Sequence, residues 1–250
     1  MEARPAYRNC WQARVITLFP DLFPGVLGAS LTGKAMQDGL WQLHTHDLRS
    51  FGVGRHRNVD DTPAGGGAGM VMRADVVGAA TDATLAQAGA RLPVICLSPR
   101  GQRFDQAMAR SWAEGPGVIM LCGRFEGIDQ RVIDHYGMLE VSLGDFVMTG
   151  GELAAQAMLD ASVRLLPGVI GNADSLTDES HAAGLLEHPQ FTRPAVWQGR
   201  EIPQVLTSGN HGDVAKWRRA QAEALTRERR PDLLARNDLQ DPADPSPKTV

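Results

Sequence analysis

The chain has 250 residues, of which 43% are hydrophobic and 22% are charged, and its formal net charge is −4. This composition is that of a globular protein with one large domain, or a large domain and a small companion, and it excludes a chain-wide basic field for nucleic acid. No segment reaches the length of a membrane span, and the first ten residues lack a signal peptide's apolar stretch, so we expect a cytoplasmic protein.

Strand and helix patterns alternate through the first two thirds of the chain. Predicted strands cover 15–19, 40–48, 93–97, 117–122 and 138–146, and predicted helices cover 74–90, 104–114, 128–136 and 152–166. Continuously apolar strands separated by helices predict an α/β domain with a mainly parallel sheet. Cys96 and Cys122 lie in two of these strands, which predicts reduced thiols in the core.

Two short motifs suggest ligands but have simpler interpretations. GASLTGKA (28–35) fits a phosphate loop until Ala35, which stands where a Ser or Thr should bind Mg²⁺, so a helix start is favoured over a nucleotide hydrolase built on Lys34. His44 and His46 alternate on one strand face without a third ligand nearby, which favours an ordinary strand surface. The sequence therefore identifies no metal site.

A loop predicted from Phe51 to Gly69 combines cationic side chains, paired carboxylates and glycines. RHRNVDDTP (55–63) precedes GGGAGM (65–70). Glycines let the backbone approach a ligand closely, and cationic side chains suit phosphate contacts, so we expect this loop to contact phosphates and to become ordered. A purely structural surface loop, with the two aspartates in a plain turn, is the alternative.

Three glycine-bearing segments follow predicted strands: LSPRG (97–101), CGRFEG (122–127) and SLGDFVMTGG (142–151). Ligands of an open α/β sheet bind at the carboxyl ends of its strands. The sequence therefore predicts that these segments converge on one crevice.

The character of the chain changes after Pro167–Gly168. Residues 171–184 are small, polar and acidic, which is typical of a linker, and a helix with many arginines is predicted from Val214. A solvated face is the simpler interpretation of that helix, and an RNA surface is the alternative. The last residues have the composition of a disordered tail.

Ten motifs occur together over residues 11–234. They are ITLFPDLF, RHRNVDD, GGGAGM, LSPRG, CGRFEGIDQRV, GDFVMTGGE, LLPGVIG, GLLEHPQFTRP, VLTSGNHGDVAKWR and RRPDLL. In this order they resemble the bacterial tRNA (guanine-N1)-methyltransferase family, which is far more specific than any single motif.

This resemblance implies a fold that composition alone does not predict. It implies an α/β, trefoil-knotted SPOUT methyltransferase domain with a mainly parallel sheet, plus a small, mostly helical C-terminal domain; knots are otherwise rare. The implied divisions are an N-terminal extension (1–10), the knotted domain (11–170), a linker that completes the active site (171–187), a tRNA-binding domain (188–236) and a disordered tail (237–250). It also implies a homodimer.

The implied activity is methyl transfer from S-adenosyl-L-methionine to N1 of guanosine 37 in tRNA, beside the anticodon, with Mg²⁺ assisting. The resemblance implies catalytic roles for Glu126 and Arg164. It places Glu179, with Asp178 as second choice, where the family has its catalytic aspartate; glutamate offers the same chemistry with one more methylene group.

The binding residues follow from the same motif matches. The implied cofactor-binding residues are Leu97, Ser98, Pro99, Gly123, Gly127, Leu143, Gly144, Asp145, Phe146, Val147, Met148, Gly150 and Gly151. The implied tRNA-binding residues are Arg55, His56, Arg57, Asp60, Gly65, Gly66, Gly67, Ser208, Asn210, His211 and Arg218, in contact with the anticodon stem-loop. A non-catalytic RNA-binding module on the same fold is the competing hypothesis.

Overall fold

The structure, a computed structural model, describes residues 10–171, 180 and 184–234. The chain divides into two compact units, Met1–Gly171 and Asn172–Val250. Among the described residues no helix combines the length and the apolar character needed to cross a membrane.

The first unit is an α/β layer structure. In chain order its elements are β1 (Trp11–Thr17), α1 (Ser30–Gln37), β2 (Trp41–Asp47), β3 (Asp60–Asp61), β4 (Val71–Met72), α2 (Ala74–Ala88), β5 (Val94–Arg103), α3 (Gln106–Glu114), β6 (Gly117–Cys122), α4 (Gln130–Tyr136), β7 (Leu139–Ser142) and α5 (Glu152–Val163). Five strands form one parallel sheet in the order β2-β1-β6-β5-β7, which confirms the predicted parallel α/β fold. The trefoil knot stays a prediction.

Both faces of this sheet are covered, as its central strand β6 illustrates. Met120 and Cys122 pack into a core cluster that includes α3 and α5, whereas Ile119 and Leu121 pack into a second cluster with α2 and α4. Successive strand side chains point to opposite faces, so a strand buried on both sides must be apolar throughout. Cys96 and Cys122 are buried free thiols, as predicted, and burial raises the pKa of Cys96 to about 12.

The predicted ends of β5 and β7 are wrong. β5 continues to Arg103, and Leu97 and Gln102 both pair with Val141 of β7, so the residues between them form a bulge. Gly101 fits this bulge because a Cβ atom there would collide with the backbone of Glu140. LSPRG is therefore a bulge inside a strand rather than a loop beyond one. β7 ends at Ser142 instead of at the predicted Phe146.

The segment GASLTGKA is a helix start, as predicted. A 3₁₀ turn ends at Gly28 and α1 begins at Ser30, well after β1 ends at Thr17. A Cβ atom on Gly33 would collide with the carbonyl group of Gly28, so the two glycines permit close packing of the turn on the helix. Their spacing has a structural cause and does not form a phosphate loop.

The second unit contains a small hairpin and one long helix. Its elements are β8 (Val196–Trp197), β9 (Arg200–Glu201), α6 (Gln204–Thr207) and α7 (His211–Arg229). Thr226 lies buried on α7, where its hydroxyl group accepts a hydrogen bond from the Leu186 amide at 2.9 Å. The ring of Trp217 makes edge contacts with His188 and Phe191. These contacts fix the segment before the hairpin against α7.

Candidate active site

A cleft of about 290 Å³ lies at the carboxyl edge of the sheet. Residues 96–100 of the β5 bulge, residues 123–128 after β6 and residues between 140 and 154 around the β7–α5 loop line it. The strands are parallel, so the segments that follow them meet at one edge. The structure thus brings together the three segments that the sequence placed there.

Most of the implied cofactor-binding residues line this cleft. They are Leu97, Ser98, Pro99, Gly123, Gly127, Leu143, Phe146, Val147, Met148, Gly150 and Gly151. Gly144 and Asp145 belong to the same loop as Phe146 but do not line the cleft. Glu126 lines it and lies exposed.

The loop that presents Glu126 is fixed by its backbone. Phe125 has a φ of 60° and Gly127 a φ of 121°, both in the left-handed region that turns the chain sharply. The Glu126 amide donates to the Met70 carbonyl oxygen at 2.9 Å. A Cβ atom on Gly69 would collide with the Glu126 side chain. Two segments that the sequence analysis treated separately, residues 65–70 and 122–127, therefore lie side by side.

Arg124 belongs to the lining of the cleft and pairs with a buried carboxylate. Its Nη2 atom lies 2.7 Å from Oε2 of Glu152, which is 2% exposed, and its Nη1 atom donates to the Thr149 carbonyl oxygen at 3.1 Å. The other Glu152 oxygen accepts from the Thr17 hydroxyl group at 2.8 Å. The guanidinium carbon lies 4.5 Å from the centre of the Phe19 ring. Three segments of the chain meet at this ion pair.

Two charged residues that the sequence analysis did not select also line the cleft. Arg100 Nε lies 2.7 Å from Glu140 Oε1, and Arg100 Nη2 donates to Gln130 Oε1 at 2.6 Å. The hydrogen bond with Glu140 raises the pKa of Arg100. Arg100 belongs to the motif LSPRG, but the sequence alone does not identify Glu140 as its partner. That contact depends on the pairing of β5 with β7.

The implied catalytic residues are not all gathered in the cleft of one chain. Arg164 follows α5 at its carboxyl end, whereas Glu152 begins this helix beside the cleft. At 1.5 Å per residue the two lie about 18 Å apart along the helix. Arg164 accordingly does not line the cleft. Asp178 and Glu179 lie outside the described residues.

The implied tRNA-binding residues occur in both units. In the first unit the exposed ones are Arg55, His56, Arg57, Gly65, Gly66 and Gly67, and Asp60 lies half-buried in β3. In the second unit His211 and Arg218 lie exposed on α7. Asn210 caps this helix, because its Oδ1 atom accepts from the amides of Gly212 at 3.1 Å and Asp213 at 3.4 Å. Ser208 Oγ accepts in turn from the Asn210 amide at 3.2 Å, a structural role that the sequence analysis missed.

The fold and the cleft define an α/β protein whose ligand site is built by loops at the carboxyl edge of a parallel sheet. A family model described as tRNA (Guanine-1)-methyltransferase TrmD matches residues 11–236. The chain therefore belongs to this methyltransferase family.

Individual relatives agree with that assignment. The chain is 67% identical to the tRNA (guanine-N(1)-)-methyltransferase of Roseobacter denitrificans over 235 residues, which are 94% of this chain and 98% of that protein. It is 67% identical to the enzyme of the same name from Ruegeria pomeroyi, over 95% of this chain and 98% of the relative. The relative from Rhodopseudomonas palustris is 60% identical over 90% of each chain.

Proposed function

We propose that this chain transfers the methyl group of S-adenosyl-L-methionine to N1 of guanosine 37 in tRNA, beside the anticodon, in the cytoplasm. The names of its relatives specify tRNA and guanine N1. The observation that supports the proposal most strongly is a glycine-lined cleft with Glu126 on its wall, built from segments within the range that the family model matches.

The cleft fits a methyl donor held in a compact form. A Cβ atom on Gly151 would lie 2.9 Å from Cys122 Cα, and one on Gly123 would lie 3.1 Å from the Leu97 carbonyl oxygen. These glycines therefore let the three segments pack backbone against backbone, so that peptide groups form the lining at these points. We assign donor binding to residues 97–99, 123–127 and 143–151. When bound, S-adenosyl-L-methionine supplies an electrophilic methyl group on a sulfonium sulfur.

The acceptor nitrogen must lose a proton before it can attack. We assign the removal of the N1 proton to Glu179, with Asp178 as second choice. The Glu126 carboxylate accepts hydrogen bonds from the N–H groups of the guanine edge and so orients the base. Arg164 stabilises the negative charge that develops on O6. Holding the base against the cleft supplies the alignment that accelerates the transfer.

We propose that a homodimer completes this site. Arg164 lies at the far end of α5 from the cleft of its own chain, so a second copy is needed to bring this residue to the guanine. Exposed apolar side chains are available for the contact on the segment after β1 and on the first turn of α5: Phe19, Leu22, Val26 and Leu153. A hydrogen bond of 2.9 Å from Gln156 Nε2 to the Leu22 carbonyl oxygen joins these two elements.

Contacts with RNA are assigned to the loop at 55–67 and to α7. The loop offers three exposed cationic or imidazole side chains, and α7 has exposed basic residues that include Arg218, Arg227 and Arg229. Affinity from such phosphate contacts falls as the salt concentration rises. We propose that residues 188–236 grip the anticodon stem, that the linker at 171–187 completes the active site, and that Mg²⁺ assists the reaction.

A transfer assay tests the activity. The protein is incubated with labelled S-adenosyl-L-methionine and unmodified tRNA with guanosine at positions 36 and 37, and the modified nucleoside is identified by mass spectrometry. We expect 1-methylguanosine at position 37, and little product when either guanosine is replaced by adenosine. A methyl group on any other atom, or no transfer despite RNA binding, contradicts the proposal.

Two amide variants test the assignment of the base. We expect Glu179→Gln to lower kcat by roughly a hundredfold or more, the typical contribution of a positioned general base, and Asp178→Asn to lower it less. Lys34→Ala serves as the control: Lys34 is exposed on α1 and should be dispensable. Normal rates in both amide variants would refute the assignment.

A further inference from the structure

We propose that Arg124 and Glu152 act as a positioning pair: their ion pair holds the loop after β6 (123–127) and the loop after β7 (143–151) at the separation that the methyl donor requires. This inference rests on the proposed function, since it names residues that prepare the same cleft. Glu152 does not line the cleft and so acts through Arg124 and the loops, whereas Arg124 itself belongs to the lining.

The contacts of Arg124 connect both loops to the end of β1. Its side chain leaves the first loop and reaches Glu152 at 2.7 Å and the carbonyl oxygen of Thr149, in the second loop, at 3.1 Å. Glu152 accepts from the hydroxyl group of Thr17, the last residue of β1, at 2.8 Å. One guanidinium thus contacts two groups at once, through an ion pair at Nη2 and a hydrogen bond at Nη1, which the single ammonium group of a lysine does not reproduce.

The surroundings of the pair leave little freedom. Gly150 lies so close to the Arg124 guanidinium that a Cβ atom there would collide with it. Glu152 is 2% exposed, and burying a charged group this deeply is costly unless an opposite charge lies beside it. The loops also touch directly, since the Gly151 amide donates to the Gly123 carbonyl oxygen at 3.0 Å. We infer that the ion pair keeps this backbone contact in place.

The first experiment measures donor affinity in Glu152→Gln, which removes the charge and keeps the shape. We expect the Kd for S-adenosyl-L-methionine, measured by calorimetry, and its KM to rise roughly tenfold, because misplaced loops hold the donor less well. A merely structural role would reduce the fraction of folded enzyme and hence kcat, and would leave Kd and KM unchanged. Arg124→Lys should give an intermediate Kd, since a lysine keeps the positive charge but lacks the two separate NH₂ groups of the guanidinium.

Arg131→Gln is the matched control. Arg131 pairs with Asp129 at 2.7 Å just beyond the same loop, but its side chain is 82% exposed. Exposed ion pairs contribute little, so this variant should bind the donor with wild-type affinity.

A second experiment remains informative if single variants fold poorly. Arg124→Met combined with Glu152→Leu replaces the pair by apolar groups, a change that buried ion pairs often tolerate. We expect a folded protein with donor affinity at least tenfold weaker. Hydrogen exchange without donor should be faster in peptides covering 123–127 and 143–151 and unchanged in α2. Wild-type affinity and exchange in this folded variant would overturn the proposal.

The outcomes separate this inference from the proposed function. If the wild-type chain binds the donor but methylates no tRNA, while the variants lose donor affinity, the positioning role stands and the substrate assignment fails. If the wild-type chain methylates guanosine 37 and the variants match it in Kd, KM and loop exchange, the positioning role fails alone.

Discussion

Two arginines of the first unit have side chains largely removed from solvent, and the chain treats them differently. Arg124, in the lining of the cleft, faces the carboxylate of Glu152. Arg14, on β1, is 6% exposed, and its hydrogen bonds go to neutral acceptors: Gln12 Oε1 at 3.1 Å and the Gln87 carbonyl oxygen at 2.7 Å. No carboxylate of the described residues lies within ion-pair distance of Arg14. Among the described residues, the charge of Arg124 faces a carboxylate, whereas the charge of Arg14 is hydrogen-bonded to neutral dipoles.

The uncompensated charge affects its neighbours at the edge of the sheet. His44 is the register partner of Arg14 on β2, and His46 follows on the same face. Burial, and then the charge of Arg14, lowers the pKa of both histidines. The Nε2 atom of His46 is buried and has no hydrogen-bond partner among the described residues. On this strand surface both rings are therefore half-buried beside a cation.

Removing one partner of the Arg124–Glu152 ion pair should lower the free energy of unfolding the most. We expect Glu152→Leu to lower the free energy of unfolding by about 3 kcal/mol, because it leaves a largely buried guanidinium without its carboxylate partner. Adding Arg124→Met should restore most of this loss. Urea unfolding of both variants measures the difference. A single variant as stable as the wild type would show that the pair is not energetically coupled.

Removing Arg14, which faces no carboxylate of the described residues, should lower the free energy of unfolding by a smaller amount. We expect Arg14→Met to lower the free energy of unfolding by about 1 kcal/mol, because the lost hydrogen bonds have neutral acceptors and the cost of burying the cation is removed with them. Gln87 is exposed, so its carbonyl group can bind water instead. The pKa values of His44 and His46 should rise when the cation is removed, which an NMR titration of the ring protons detects. Arg91→Met, at an exposed position, is the control; if Arg14→Met shifts neither histidine pKa, the electrostatic coupling is absent.

The sequence predicted local features well and long-range contacts poorly. The bounds of β6 matched, because an apolar run between a glycine and a polar loop is a local signal. Arg124 and Glu152 both stood in selected motifs, but nothing local links a residue after β6 with the first turn of α5. The bulge at Gly101 depends on the backbone of β7 beside it. Likewise, the H-x-H pattern indicates that His44 and His46 share one face of a strand. Only the pairing of β1 with β2 shows that Arg14 lies beside them.

Acidification should change the free energy of unfolding the least, and the lowered pKa values of His44 and His46 give the direction of that change. Their pKa values are lowered from 6.5 in the folded chain, so the unfolded chain binds more protons below about pH 6.5. The contribution to stability is complete above that pH and is lost as the pH falls through it. We expect the free energy of unfolding, measured from pH 7.5 to 5.5, to fall less steeply in His44→Gln/His46→Gln, whereas His135→Gln, at an exposed position on α4, should retain the wild-type slope.

Arg14→Met should flatten the slope only partly, because burial, the larger cause of the lowered pKa values, remains. An unchanged slope in the double variant would show that these histidines do not set the pH dependence.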